Sequence, residues 1–389
     1  MSRTPRRHLA LATAAVSVTL SLTACGGGDS TSASDAGTAS AGVEHASAQI
    51  QAASKNPEFT FDGPSFPMRD IKGKHIFNIP NTSAVPYIVA VDKLGQEIAE
   101  KYGATWTEYT NQGTPNEWTT GIDQAISQGA DVILLSQGNN PELIIPALER
   151  AKAAGIPVVV SHTYQNGAGI PDKVAGLIAA QVSAPFNESG RLSADWAIKE
   201  TKGKGHILLL NSSEVPPSEG IVAAQKDELA QHCPACKVKV VNVPVADWAT
   251  KIATTVQSEI QADPSLDYVL PVYDSMMIYV ESGVKAAGKA GTVFTASFNG
   301  TPAVLKLMQD GQVVTMDVGE SLSWLASATM DQVGRVLTGA QVVADGDEHT
   351  PLKVITRDTV DETGHPPVAD KGYGDAYVAG YDALWGDPS

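Results

Sequence analysis

Short apolar runs recur along the chain from residue 74 onward, and amphipathic stretches separate them. Continuous apolar runs are typical of strands buried on both faces of a sheet, whereas apolar positions three to four residues apart predict helices. The runs predict nine strands: His75–Ile79, Thr105–Tyr109, Asp131–Ser136, Pro157–Ser161, His206–Asn211, Lys237–Val243, Tyr268–Pro271, Val293–Ser297 and Val313–Val318. The amphipathic stretches predict helices that include Ile88–Tyr102, Glu142–Ala154, Ala249–Ala262 and Met276–Ala287.

This alternation of strands and helices predicts an α/β fold with parallel sheets that carry helices on both faces. More than eight strands over roughly 280 residues are too many for one small sheet, so we expect two sheets. The length of 389 residues agrees with two or three domains or lobes. In such sheets ligands bind beyond the carboxyl ends of the strands, and residues at those ends are therefore the candidate site.

The first 25 residues have the pattern of an export signal. Arginines precede an apolar run from Leu9 to Leu22, which is short for a membrane span, and Thr23-Ala24-Cys25 and three glycines follow. This end resembles a bacterial lipobox, which predicts a signal peptide over 1–24 and a diacylglyceryl group on Cys25. The mature protein would then be anchored to the outside of the cell membrane without spanning it. A plain secretory peptide with a chance cysteine is the alternative.

Composition changes this picture in two ways. Residues 25–56 are rich in Gly, Ser, Ala and Thr, so we expect a flexible tether there. The net charge is −16, which argues against nucleic-acid partners and against electrostatic docking on anionic lipid.

Cys233-Pro234-Ala235-Cys236 has the spacing of a redox centre or of half a zinc site. No second cysteine pair exists, and the motif follows a helix instead of opening one after a strand. Outside the cytoplasm, with Cys25 lipidated, these two thiols can form a disulfide only with each other. A structural disulfide between Cys233 and Cys236 is therefore the prediction, and we expect no metal site and no cofactor.

Catalytic signatures are absent from the sequence: it contains no G-x-S-x-G, H-E-x-x-H, Walker A or G-x-G-x-x-G motif. We expect no catalytic residues and no enzymatic activity. A secreted α/β hydrolase is the enzyme alternative, and a lipoprotein that signals through a membrane receptor is the interaction alternative.

Three segments between residues 72 and 357 resemble the type I solute-binding proteins of bacterial ABC importers, in the ribose-binding-like branch. The segments are Gly121–Leu134, Ala151–Val159 and Ser297–Pro302 followed by Asp310-Gly311. The resemblance implies two Rossmann-like lobes joined by three crossovers, which close on a ligand in the cleft. It implies lobe 1 over 72–180 plus 320–350 and lobe 2 over 181–319 plus 351–389. The implied protein is a monomer that delivers a small polar solute, such as a sugar or polyol, to a permease.

The resemblance also implies ligand-binding positions. Matched one by one to this sequence, they are Tyr87, His162, Glu219, Trp248, Tyr273, Asp274, Phe298, Asn299 and Glu320. Aromatic rings suit the apolar faces of a sugar, and carboxylates and amides suit its hydroxyls. The family's usual arginines are missing here, which puts a simple pentose in doubt.

Structural roles are the alternative at several of these positions. Tyr87 and Tyr273 could be ordinary half-buried aromatics, and His162 could be a satisfied loop histidine. Asp274 and Asn299 could cap helices, and Thr301-Pro302 is best interpreted as a helix start.

Overall fold

The computed structural model describes residues 31–369 and 371–386, with side chains from residue 39 onward. Cys25 and the predicted signal peptide lie outside the described residues. Two sheets organise the chain. The strands of the first are β1 (His75–Pro80), β2 (Thr105–Glu108), β3 (Val132–Ser136), β4 (Val158–Gln165) and β5 (Ala180–Ala184). Those of the second are β6 (His206–Asn211), β7 (Lys237–Asn242), β8 (Tyr268–Pro271), β9 (Phe294–Asn299), β10 (Val314–Glu320) and β11 (Leu352–Thr356).

The described helices cover the faces of these sheets. They are α1 (Thr31–Ala53), α2 (Pro86–Lys101), α3 (Pro115–Ser127), α4 (Ile145–Ala153), α5 (Asp172–Ala175), α6 (Phe186–Glu200), α7 (Ser218–His232), α8 (Trp248–Ala262), α9 (Asp274–Ala286), α10 (Pro302–Asp310), α11 (Leu322–Thr338) and α12 (Ala376–Leu384). Short 3-10 turns lie at Met68–Ile71, Pro141–Leu143, Val245–Asp247, Ala344–Gly346 and Val360–Thr363.

Each sheet has the parallel order expected of alternating strands and helices. The first runs β2-β1-β3-β4-β5 and is parallel throughout. The second runs β11-β10-β9-β8-β6-β7, with β11 alone antiparallel to its neighbour. The predicted α/β class and the nine predicted strands are confirmed. The sequence pattern missed β5 and β11, because their short segments mix apolar with polar residues.

Three connections join the two lobes. The chain leaves the first lobe after β5, returns after β10 to α11, and crosses again to β11. α11 packs on α2 and β5 of the first lobe, while α6 packs on α7 and the second sheet. These three crossovers are the ones that the resemblance implied.

The two ends of the chain differ from expectation. The predicted coil is wrong for residues 31–53, which form α1 and pack on α6 and α7 of the second lobe. Ala46 and Ile50 of this helix are buried in the core of that lobe. Burial here depends on small residues that let helices approach closely, and composition alone does not distinguish such a segment from a linker.

The C-terminal helix also lies elsewhere than expected. Residues 351–389 were assigned to the second lobe, and β11 does lie there. However, Tyr381, Leu384 and Trp385 join the core of the first lobe. The backbone N–H of Phe66 donates to Leu384 (2.9 Å), which ties this end to the segment before β1. The assignment is therefore wrong for α12.

Cys233 and Cys236 form the predicted disulfide between α7 and β7.

Candidate ligand-binding site

A cavity that opens to solvent, with about 580 Å³ of empty space when its mouth is included, lies between the two lobes at the carboxyl ends of the strands. Tyr87, Gln137 and His162 line it from the first lobe. Trp248 and Asn299 line it from the second, so a molecule held here would contact both lobes.

Four aromatic rings form most of its walls: Tyr87, Phe186, Trp248 and Tyr273. Tyr87 is placed by the start of α2, where Pro86 occupies the first turn. Trp248 opens α8, and its indole N–H donates to Ser212 Oγ (2.7 Å). The Trp248 and Tyr273 ring centroids are 6.5 Å apart, and neither ring covers the other. Their faces suit the C–H surface of a small ring compound.

Polar side chains enter the cavity from strained strand ends. Six described non-glycine residues have a positive φ, and three of them line this cavity: Gln137 (64°), His162 (54°) and Asn299 (137°). Such backbone costs free energy and clusters at functional sites. Both amide atoms of Gln137 are buried without a hydrogen-bond partner. Because native proteins pair nearly all buried polar atoms, the amide has unused capacity for a ligand.

A hydrogen-bonded group joins the lobes behind this cavity. The Tyr87 hydroxyl donates to Glu320 Oε2 (2.9 Å), and His162 Nε2 lies 3.0 Å from the same oxygen. Glu320 ends β10 at a crossover and is 1% exposed. Burial, and secondarily Glu320, raise the pKa of Tyr87 well above its ordinary value. Tyr87 is therefore neutral and remains a donor.

A carboxyl pair supports the backbone at Asn299. Asp274 accepts from the Thr301 N–H (2.7 Å) and from the Ser297 hydroxyl, and Asp317 accepts from the Gly300 N–H (3.0 Å). Burial raises the pKa of both carboxyls, and the charge of Asp274 raises that of Asp317 further. Through these bonds to backbone N–H groups the two carboxyls fix the turn after β9.

The structure brings five of the nine predicted positions to the cavity wall: Tyr87, His162, Trp248, Tyr273 and Asn299. Of three others, Asp274 lines an adjoining pocket that shares Tyr87 and Trp248 with this cavity, while Glu320 and Phe298 lie behind the wall. Glu320 contacts Tyr87 and His162, Asp274 supports the turn, and Phe298 packs against Phe186 at 6.1 Å between centroids.

Glu219 does not reach this cavity. Its side chain is exposed and accepts from Asn211 Nδ2 (2.7 Å) at the start of α7. The expectation that it contacts solute therefore has no support from its position.

Sequence reasoning missed Asn81, Gln137 and Phe186, which also line the cavity. Gln137 directly follows β3, and Asn81 follows β1, so the strand-end argument applied to Asn299 also identifies them. Phe186 follows β5, a strand that the pattern did not predict.

Two α/β lobes around a cleft lined by rings and neutral polar groups define a bilobal solute-binding protein. The sequence profile described as "Periplasmic binding protein domain" matches residues 76–341. The chain therefore belongs to the periplasmic binding protein family, as the sequence predicted.

Characterised relatives are solute-binding proteins. The D-apiose import binding protein of Actinobacillus succinogenes is 25% identical over 220 residues, which are 56% of this chain and 67% of the relative. The D-ribose/D-allose-binding protein of Pseudomonas aeruginosa is 25% identical over 284 residues, 67% of this chain and 82% of the relative.

A solved structure supports the fold. An ABC transporter solute-binding protein from Agrobacterium vitis, bound with α-D-tagatopyranose, superimposes with a TM-score of 0.65 at 19% identity. The match covers 76% of this chain and 99% of that protein.

These relatives are binding proteins and not enzymes, so the chain is a non-enzymatic member of an extracytoplasmic family. Among the described residues, no helix has the length and apolar character that a membrane span requires.

Proposed function

We propose that this protein captures a small uncharged polyhydroxylated solute, a sugar or sugar alcohol, and delivers it to the permease of an ABC importer. The observation that carries this proposal is the convergence of three strained strand ends and four rings on one cavity. Rings would cover the C–H faces of a sugar, while the Gln137 and Asn299 amides would donate to and accept from its hydroxyls.

The charge of the cavity favours a neutral solute. Within the described part of the chain, no Lys, Arg, Asp or Glu lines it. A phosphate or an amino acid would lose its hydration there without gaining an opposite charge. The relatives that bind apiose, ribose, allose and tagatose agree with this choice of class.

Lobe closure is the proposed mechanism of capture. A solute that contacts Gln137 in one lobe and Asn299 in the other has more contacts in the closed state, and so favours it. The bonds of Tyr87 and His162 to Glu320 lie at a crossover, where domain closure concentrates its backbone changes.

Thermal unfolding of the purified full chain with a solute panel tests the proposal. The panel contains D-ribose, D-allose, D-apiose, D-tagatose and allitol, with leucine and phosphate as charged controls. A sugar at 100 times its Kd raises the unfolding free energy by about 2.7 kcal/mol, so at least one sugar should raise the Tm. A Tm raised by leucine or phosphate alone contradicts the proposal.

We further propose that the protein acts as a monomer held to the membrane by lipid on Cys25. The support is the sequence before and after this cysteine. Cys25→Ser removes the sulfur that carries the acyl group, so the protein should leave the membrane fraction. Cys233→Ser serves as the matched control and should stay with the membrane. Retention of the Cys25→Ser protein would overturn the anchor.

A further inference from the structure

A second group of side chains lies in the second lobe, far from the cleft. His45 of α1, Asp195 of α6, and Glu228 and His232 of α7 meet where these three helices pack. Pro217, just before α7, lines the cavity, while His232 ends the helix. At 1.5 Å per residue the two ends of α7 are about 20 Å apart. This cluster is therefore separate from the solute site.

Its geometry converges on one point. His45 Nε2 lies 2.9 Å from Glu228 Oε1, and His232 Nε2 lies 3.5 Å from the same oxygen. The ligand atoms of these three residues all fall within 4.8 Å of one another. The two imidazole rings stack with centroids 3.7 Å apart, so both Nε2 atoms are presented side by side.

Asp195 supplies an independent observation. Its side chain is 1% exposed, and its Oδ1 has no hydrogen-bond partner. That oxygen lies 4.0 Å from His45 Nε2. Asp195 Oδ1 and Glu228 Oε1 thus both lie within 4.0 Å of the same imidazole nitrogen. Two buried carboxyls this close are unfavourable unless a proton or a cation lies between them.

We propose that His45, Glu228 and His232, with Asp195, form a site for a divalent transition-metal ion such as Zn²⁺. Two imidazoles with carboxylate oxygens are a ligand set that Zn²⁺ accepts, in tetrahedral arrangement at about 2.0–2.2 Å. Both Nε2 atoms already lie 2.9 and 3.5 Å from Glu228 Oε1, and one ring has to turn out of the stack for both to reach the same ion. The His45 side chain is 33% exposed, which leaves a path for the ion.

The proposed ion would fasten α1 to the second lobe. α1 contacts α6 and α7 through small residues, and a Cβ on Gly42 would meet the His232 carbonyl oxygen at 1.9 Å. Apart from such close packing, α1 buries few large apolar side chains. A metal bond from His45 would add to the contacts that hold this helix on the second lobe. The sequence offered no signal, because its ligands are separated by up to 187 positions, from His45 to His232.

Zinc titration of the full chain, purified in detergent and freed of metal with EDTA, tests this site. Competition with a chromophoric chelator should give one Zn²⁺ per chain with micromolar or tighter affinity. His45→Gln and His232→Gln should each weaken binding at least tenfold, since each removes a ligand. His365→Gln is the matched control, because His365 is an exposed histidine 3.6 Å from Asp361, and it should leave the affinity unchanged.

Hydrogen exchange of the α1 amides gives a second readout. Zn²⁺ should slow exchange in the wild type and leave it unchanged in His45→Gln, while metal-free melting curves establish that both proteins are folded. Zinc affinity that is equal in wild type, His45→Gln and His232→Gln would identify adventitious binding and overturn the proposal. Absence of zinc binding in the wild type would identify a proton-sharing cluster and overturn it as well.

Discussion

Two groups of buried polar side chains in this protein differ in how their hydrogen-bonding capacity is used. In the first lobe, Arg335 bonds to Asp331 and donates to the carbonyls of Pro64 (3.0 Å) and Gln341 (2.9 Å). At the cleft, the Gln137 amide is equally buried and has no partner at either polar atom.

This difference separates polar groups that stabilise the fold from polar groups that are available to bind a solute. Trp385 also donates to Asp331 (2.7 Å), so the Arg335 group connects α11, α12 and the segment before β1. Arg335 Nε and Nη1 are used within the protein, and only its Nη2 lacks a hydrogen-bond partner. Gln137 has a strained backbone and two unpartnered amide atoms. It therefore lowers the stability of the fold unless a solute forms hydrogen bonds with its amide. We therefore expect substitutions in the first group to change stability and those in the second to change solute affinity.

Arg335→Met should give the largest effect. It leaves Asp331 buried without its counter-charge, which typically costs about 3–5 kcal/mol of unfolding free energy. Urea unfolding measures that loss, and sugar affinity at permissive temperature should stay within about twofold. Arg150→Met is the matched control, because Arg150 pairs with Asp123 (2.8 Å) while both are half exposed. That control should cost less than about 1 kcal/mol. An equal loss of unfolding free energy in Arg335→Met and Arg150→Met would show that the buried Arg335 group does not stabilise the fold more than an exposed ion pair.

Asn299→Gly should give the next largest effect, on affinity. Glycine relaxes the positive φ, so folding should not suffer, while the loss of the amide leaves a sugar hydroxyl unpaired. That costs roughly 1–3 kcal/mol, or about 5–150-fold in Kd. Lys202→Gly, at an exposed position with φ 55°, is the control and should leave the Kd unchanged. Calorimetric titration with the sugar that most raises the Tm provides the comparison. A lower Tm with an unchanged Kd would assign Asn299 a structural role.

Asp92→Asn should give a smaller effect that depends on pH. Asp92 accepts from Asn78 (2.9 Å) and Ser136 (2.9 Å) beneath the first sheet, and burial followed by the charge of Glu108 raises its pKa from 3.8 to about 8. Between those values the unfolded chain releases a proton that the folded chain keeps, so this group's stabilising effect is lost as pH rises from about 4 to 8. Asparagine does not titrate, and the fall in unfolding free energy between pH 5 and pH 8 should shrink. An identical fall in both proteins would mean that Asp92 is ionised in the folded state.

Periodicity predicted the sheets well, because strands such as β3 are continuous apolar runs that few other structures tolerate. It also placed Asn299 correctly, since a polar residue after a buried strand has little choice of position in a parallel sheet. Gln137 satisfied the same rule. It directly follows the buried strand β3, but it is not among the positions that the family resemblance implied.

Other features depend on contacts that no local pattern encodes. α1 has the composition of a linker, but it is helical because Ala46 and Ile50 are buried where the helix packs on α6 and α7. The resemblance implied a solute contact at Glu219, but its side chain is exposed and accepts a hydrogen bond from Asn211 Nδ2. Both outcomes follow from tertiary packing.

Gln137→Gly tests the central claim most directly, because this residue combines a positive φ, burial and an unpartnered amide. The measurement is the Kd for the sugar that most raises the Tm, taken together with the Tm in the absence of sugar. We predict a Kd increased roughly 5–150-fold with a Tm equal to or above that of the wild type. A Kd unchanged within about twofold, together with a lower Tm, would contradict the claim that unpaired polar groups at the strand ends bind the solute.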